Sequence, residues 1–277
     1  MYLSHFGLTE YPFGITPDTS FAFSAIAHQE ALNTLLVAVR SGEGFIKITG
    51  EVGTGKTLLC RRFLAALDEG FVTAYIPNPY LEPRTLLLAV AEELGAELRS
   101  DADQHRLLKS LGLALLNFAR QKKAVVLCLD EAQAIPLETL ETLRLLSNLE
   151  TEKRKLLQIV LFGQPELDER LSNPSIRQLR QRIAFSYRLR GLKRGEIDLY
   201  LAHRLRVAGY RGDQLFAPRA MRLIHRASAG TPRLVNILSH KSLLVAYGVG
   251  RQQVDPRHVN SAIDDTEGVR RPRWVFW

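Results

Sequence analysis

One octapeptide limits the folds open to this chain more than anything else in it. Gly50-Glu51-Val52-Gly53-Thr54-Gly55-Lys56-Thr57 satisfies G-x-x-x-x-G-K-[ST] at every fixed position. The pattern works only where a strand runs into a helix. Its glycines let the backbone curl until consecutive amides converge on an anion at the helix amino terminus. Both flanks are legible: residues 44–49 make a short strand candidate, and Leu58, Leu59, Phe63 and Leu67 follow at helical spacing. In that setting Lys56 would reach the β- and γ-phosphates of a nucleotide, and Thr57 would offer a hydroxyl to Mg2+. The alternative is a Gly-rich turn that binds nothing, against which the register of strand, loop and helix speaks.

The rest of the pattern extends the same architecture. Residues 1–25 read as an ordered but irregular lead-in, and 26–40 as a helix. Residues 71–76 are β-rich and stop at Pro77; 84–97 and 104–121 are helical. Apolar strands follow at 124–129 and 156–162, with a helix at 136–150 between them. A helix near 174–181 precedes an alternating strand at 183–189. Strands apolar on both faces, alternating with helices, predict a parallel sheet covered on both sides. Beyond Gly191, residues 194–208, 217–229, 231–247 and 255–266 all look helical. The expected organisation is a lead-in and first helix (1–43), an α/β core (44–191), an all-helical lid (192–267) and a basic-aromatic tail (268–277).

Polar residues at the expected strand ends supply chemistry. The strand at 124–129 ends in Asp130-Glu131, and in such sheets the carboxyl ends of strands border the ligand. Asp130 could hold Mg2+ through its water shell while Glu131 polarises a water for attack on the γ-phosphate. The strand at 156–162 ends in Gly163-Gln164-Pro165; Gln164 either orients that water or caps the next helix. Arg177, Arg180 and Arg182 precede the last strand. They are either a solvated basic face or contain a guanidinium that stabilises transition-state charge in a neighbouring subunit. Gly230-Thr231-Pro232-Arg233 opens a lid helix. A cation in a helix's first turn is electrostatically awkward unless a phosphate relieves it, which points Arg233 toward nucleotide. The N-K-x-D element of GTP recognition is missing, which favours ATP.

Charge and cysteine content narrow the class. Residues 1–176 carry net −5 and residues 177–277 net +13, so the carboxyl third should attract something anionic. The two cysteines, Cys60 and Cys128, make neither a disulfide framework nor a metal pattern. No apolar run of about 18 residues and no secretory leader is evident. A cytoplasmic setting is expected.

Taken in order, phosphate loop, Asp-Glu strand end, polar sensor, arginine finger and lid arginine resemble the plan of AAA+ ATPases. More narrowly the chain resembles the ExeA/GspA-type secretion ATPases, and among them those of MSHA-type type IV pilus biogenesis. Shared runs include Phe6-Gly7-Leu8, Pro12-Phe13, Pro17-Asp18, His28 before Ala31-Leu32, and Leu127-Cys128-Leu129-Asp130-Glu131-Ala132-Gln133. Phe162-Gly163-Gln164-Pro165-Glu166-Leu167, Arg180-Gln181-Arg182-Ile183 and Gly230-Thr231-Pro232-Arg233-Leu234-Val235-Asn236 continue the match. The resemblance implies an ATP- and Mg2+-dependent hydrolase that oligomerises and works with an inner-membrane pilus or secretion assembly protein. It assigns Gln164 to the first sensor, Arg233 to the second, and Arg182, then Arg180, to the finger. It also implies that the lead-in near Phe13 and His28 borders the adenine, with helix capping or a ring contact rather than catalysis as the role of His28.

Larger ATPases of this type continue into a membrane span and a periplasmic peptidoglycan-binding domain. The end of this chain, Arg270-Arg271-Pro272-Arg273-Trp274-Val275-Phe276-Trp277, could sit at an anionic membrane interface or dock on a partner, or else fray or pack on itself. Related AAA+ proteins of transposition and replication initiation make a DNA-associated ATPase the competing expectation. No helix-turn-helix follows the lid, which counts against a nucleic-acid partner.

Overall fold

The computed structural model describes residues 2–16, 20–21, 23–96, 103–150 and 155–271. Pro17-Asp18 and the tail from Pro272 to Trp277 lie outside them. In chain order the elements are α1 (Tyr2–Phe6), α2 (Ile26–Arg40), β1 (Phe45–Gly50), α3 (Lys56–Ala65), β2 (Phe71–Ile76), α4 (Pro83–Glu93), α5 (Gln104–Arg120) and β3 (Ala124–Leu129). They continue with α6 (Leu137–Leu146), β4 (Leu157–Gly163), α7 (Glu166–Leu171), α8 (Arg177–Gln181), β5 (Ile183–Leu189), α9 (Arg194–Val207), α10 (Pro218–Ser228), α11 (Pro232–Gly248) and α12 (Pro256–Asp264). Two compact units result: Glu30–Glu51 with Leu59–Leu189, and Met1–Gln29 with Val52–Leu58 and Arg190–Trp277.

The first unit is a five-stranded sheet in the order β2-β3-β4-β1-β5, parallel throughout. Parallel neighbours require crossover connections, which helices provide on the sheet's faces. Burial follows strand position. Every residue of β4 is buried, as are all but the first of β3, whereas the edge strand β5 alternates half-buried with exposed. The apolar core gathers Phe45, Leu127, Ile159 and Leu161 from the strands with Leu87 and Leu111 from α4 and α5. Cys60 and Cys128 are buried free thiols here. Their mutual hydrogen bond and burial push the Cys60 thiol far above its ordinary range, so it stays protonated.

The second unit has its own core, in which Tyr2, Phe6 and Phe13 pack with Leu201, Phe216 and Leu238. The lead-in is thus ordered by the helices of the carboxyl third. Buried Arg204 explains how an irregular segment is held. Its Nε donates to Pro12 O at 2.6 Å and its Nη2 to Gly14 O at 3.3 Å, with the guanidinium 4.8 Å above the Phe21 ring. These bonds satisfy backbone carbonyls that the absence of regular structure would otherwise orphan. Glu196 plays the complementary part: its Oε1 accepts Ile26 N–H at 2.9 Å and its Oε2 accepts Lys193 N–H at 2.8 Å. Those amides lie at two helix starts, where a carboxylate is favourable.

Three local expectations need correction. Residues 2–6 form a short helix within the supposedly irregular lead-in, burying Tyr2 and Phe6 on one face; one turn is too short to register as periodicity. The helix expected over 84–97 ends at Glu93 because Gly95 turns left-handed at φ 63°. A helix at Glu166–Leu171 went unread, and a 3-10 turn at Pro174–Ile176 opens the segment expected as one helix over 174–181. Pro165 and Pro174 break this region into pieces shorter than a periodic window.

Gly230 sets a stability prediction. It follows left-handed Ala229 (φ 51°), itself adopts φ 76°, and its carbonyl accepts Leu192 N–H at 2.8 Å. A Cβ there would lie 2.1 Å from Leu192 O, a backbone atom that cannot rotate away. Gly230→Ala is expected to destabilise the chain by about 3 kcal/mol or more, read from the midpoint of denaturant unfolding. A midpoint equal to wild type would contradict the packing.

Candidate functional site

In the sheet unit, β4 lies between β1 and β3, with Thr49 opposite Gly163 and Leu129 opposite Leu161. The parallel strands therefore deliver Gly50-Glu51, Asp130-Glu131 and Gly163-Gln164 to one edge, the carboxyl edge where α/β sheets bind ligands. Asp130 is 2% exposed. Its Oδ1 accepts Glu131 N–H at 3.0 Å and its Oδ2 accepts the Tyr75 hydroxyl at 3.4 Å. Burial and then the Asp130 charge push the Tyr75 phenol well above its usual range, so Tyr75 remains a donor to this carboxylate.

Glu131 turns left-handed at φ 52° and ψ 38°, a conformation that costs a residue with a side chain and clusters at functional sites. Its carboxylate is tethered. Gln133 Nε2 donates to Oε2 at 2.5 Å, and Gln164 Nε2 donates to the same oxygen at 3.1 Å. Gln133 Oε1 in turn accepts Gln164 N–H at 3.0 Å. Arg170 on α7 fixes the turn beneath, its Nη1 donating to the carbonyls of Gln133 at 2.5 Å and Ile135 at 3.0 Å.

The arginines before β5 differ in setting. Arg177 and Arg180 are exposed, whereas Arg182 is half-buried and its Nη1 donates to Ser147 Oγ at 2.9 Å. Exposed Glu51, at the end of β1, lies 3.7 Å from the Arg188 guanidinium.

In the helical unit, Val52–Leu58 carries most of the phosphate-loop motif. Gly53 and Gly55 take φ 78° and 93°, with Thr54 between them outside the left-handed region. Such alternation turns consecutive amides toward one anion. Arg233 stands in the first turn of α11 beside this loop, its N–H donating to Gly53 O at 3.2 Å. A Cβ on Gly53 would lie 2.5 Å from Arg233 Cβ, so only glycine allows the approach. The Arg233 side chain is exposed. Lys56 and Thr54 are buried, and Thr57 follows Lys56 at the start of α3.

His28 is the loop's other support. Its Nε2 meets Thr54 O at 2.9 Å in a buried contact; because a carbonyl only accepts, Nε2 carries the proton. The resemblance set the lead-in near His28 beside the adenine, with helix capping or a ring contact as its own role; in the structure its ring is bonded to the loop backbone. Gln133, Tyr75 and Arg170 were also missed as site residues. Gln133 stood within a shared motif without a role, and no local signal marks the other two.

Among the described residues, no cluster of three or more His, Cys, Asp or Glu could hold a metal by itself.

An AAA domain family matches residues 39–171. General secretion pathway protein A of Aeromonas hydrophila is 41% identical over 271 residues, 98% of this chain and 49% of that protein. The chain thus spans about half the length of the curated relative it matches. Among solved structures, the Aeropyrum pernix ORC2 protein superposes with a TM-score of 0.64 at 20% identity, over 91% of this chain and 72% of that one. Cdc6p of Pyrobaculum aerophilum gives 0.62 at 18% identity (90% and 70%). The Thermotoga maritima RuvB branch migration motor gives 0.56 at 18% (86% and 68%). At these identities the structural likenesses speak to fold alone.

Proposed function

The chain belongs to the ExeA/GspA type of AAA+ ATPases, and from that premise we propose that it hydrolyses ATP with Mg2+ as an oligomer assisting envelope assembly. The machinery served is an MSHA-type type IV pilus or a type II secretion system, reached through an inner-membrane assembly protein from the cytoplasmic side. The observation carrying this reading is the loop's conformation: two left-handed glycines flanking Thr54, immediately before Lys56 at the start of a helix.

Each residue then has a task. Amides of Gly50–Thr57 wrap the β- and γ-phosphates, and the buried Lys56 ammonium opposes their charge. Thr57 and Asp130 would hold Mg2+, which when bound would offset phosphate charge. Glu131 takes a proton from the attacking water, and Gln164 orients that water. Arg233 contacts the γ-phosphate from α11. Arg182, with Arg180 as second choice, completes the centre of an adjoining copy.

A shared centre predicts complementation. Arg182→Ala is expected to lower turnover about 10³-fold or more while nucleotide affinity holds. Mixing it with Glu131→Gln should restore part of the phosphate release, because some interfaces then combine an intact finger with an intact base. No recovery at any mixing ratio would count against a finger supplied in trans by Arg182.

A further inference from the structure

We propose that Gln133 is a positioning residue for the hydrolytic step, orienting the Glu131 carboxylate and locking it to the Gln164 backbone. This rests on Glu131 being the base of the reaction proposed above. The Gln133 amide is used at both ends. Its oxygen accepts Gln164 N–H at 3.0 Å; since that partner can only donate, the nitrogen must face Glu131, where it donates to Oε2 at 2.5 Å. No hydrocarbon or carboxylate side chain can perform both functions.

The consequence for Glu131 is orientational. Gln133 and Gln164 both donate to Oε2, so rotation of the carboxylate is fixed and Oε1 is the oxygen left to receive the water's proton. The tether also offsets a left-handed backbone at φ 52° that would otherwise relax. Gln133 is anchored from below by Arg170 through its own carbonyl. Gln133 thus ties the end of β3 to the end of β4, and movement of Gln164 on meeting a γ-phosphate would be felt at Glu131.

The test uses Gln133→Met, which keeps length and removes both hydrogen bonds, and Gln133→Glu, which keeps the acceptor and loses the donor. Each is made in the wild-type chain and in Glu131→Gln, measuring kcat, KM for ATP, affinity for a non-hydrolysable analogue and thermal midpoint. In the wild-type background kcat should fall about 10- to 100-fold for either variant, with KM and affinity unchanged within about twofold. In the Glu131→Gln background Gln133→Met should cost nothing further, because its effect runs through the carboxylate. Wild-type kcat in both Gln133 variants, or the same fold-loss in both backgrounds, would overturn the proposal. Should Glu131→Gln itself turn over normally, the assignment of the base fails instead, and the two failures stay distinct. If Gln133→Met does not fold, Gln133→Glu carries the same comparison.

Discussion

Replacing Glu131 with glutamine is expected to slow ATP hydrolysis by about 10²- to 10⁴-fold, the contribution of a positioned proton acceptor, and to leave ATP binding intact. Glutamine is nearly isosteric, and its carbonyl oxygen can still accept the amide protons that Gln133 and Gln164 now give to Oε2. The left-handed backbone at φ 52° is no harder for glutamine than for glutamate, so thermal stability should hold. What would disappear is the negative charge proposed to draw a proton from water. Asp130 is untouched, with Tyr75 and the Glu131 amide still bound to its oxygens. Phosphate release under single-turnover conditions, set beside calorimetric affinity for ATP, separates the two effects. Turnover at the wild-type rate would remove Glu131 from the reaction.

Lys56→Ala is expected to weaken ATP binding by about 10²-fold or more, as removal of one partner of a desolvated charge pair does. Lys56 is only 6% exposed, so a phosphate meeting its ammonium would do so where water screens the charges weakly. The loop should keep its shape in the variant. Its left-handed glycines, the Thr54 carbonyl bonded by His28 and the Gly53 carbonyl bonded by Arg233 N–H do not involve the lysine side chain. Calorimetric titration with ATP measures the loss directly. An unchanged affinity would mean that the buried ammonium faces something other than phosphate.

Much of the fold was legible because its signals are local. β3 and β4 are buried almost end to end and read as continuous apolar runs, while β5 alternates because it lies at the sheet edge. The phosphate loop stood out for the same reason: glycines at φ 78° and 93° are a requirement of backbone geometry that only certain residues meet cheaply. What escaped depends on non-local neighbours. Gln133 meets Gln164 only because β4 lies beside β3, and sheet order is not written in either segment. His28 meets Thr54 across 26 residues. The lead-in's aromatic residues find their core among helices that begin near residue 194, so Tyr2 and Phe6 carry no periodic message of their own. Arg182 is a fourth case: its bond to Ser147 follows from how the turn after α6 packs and could not be read from the basic run that contains it.

A crystal structure of the full chain grown with Mg2+ and a non-hydrolysable ATP analogue tests the central claim most directly. The expected density has a triphosphate enclosed by the amides of Gly50–Thr57, the γ-phosphate within reach of Lys56, and a cation between it and Thr57 and Asp130. Density elsewhere, with the loop unchanged and no phosphate against it, would contradict the assignment at its root.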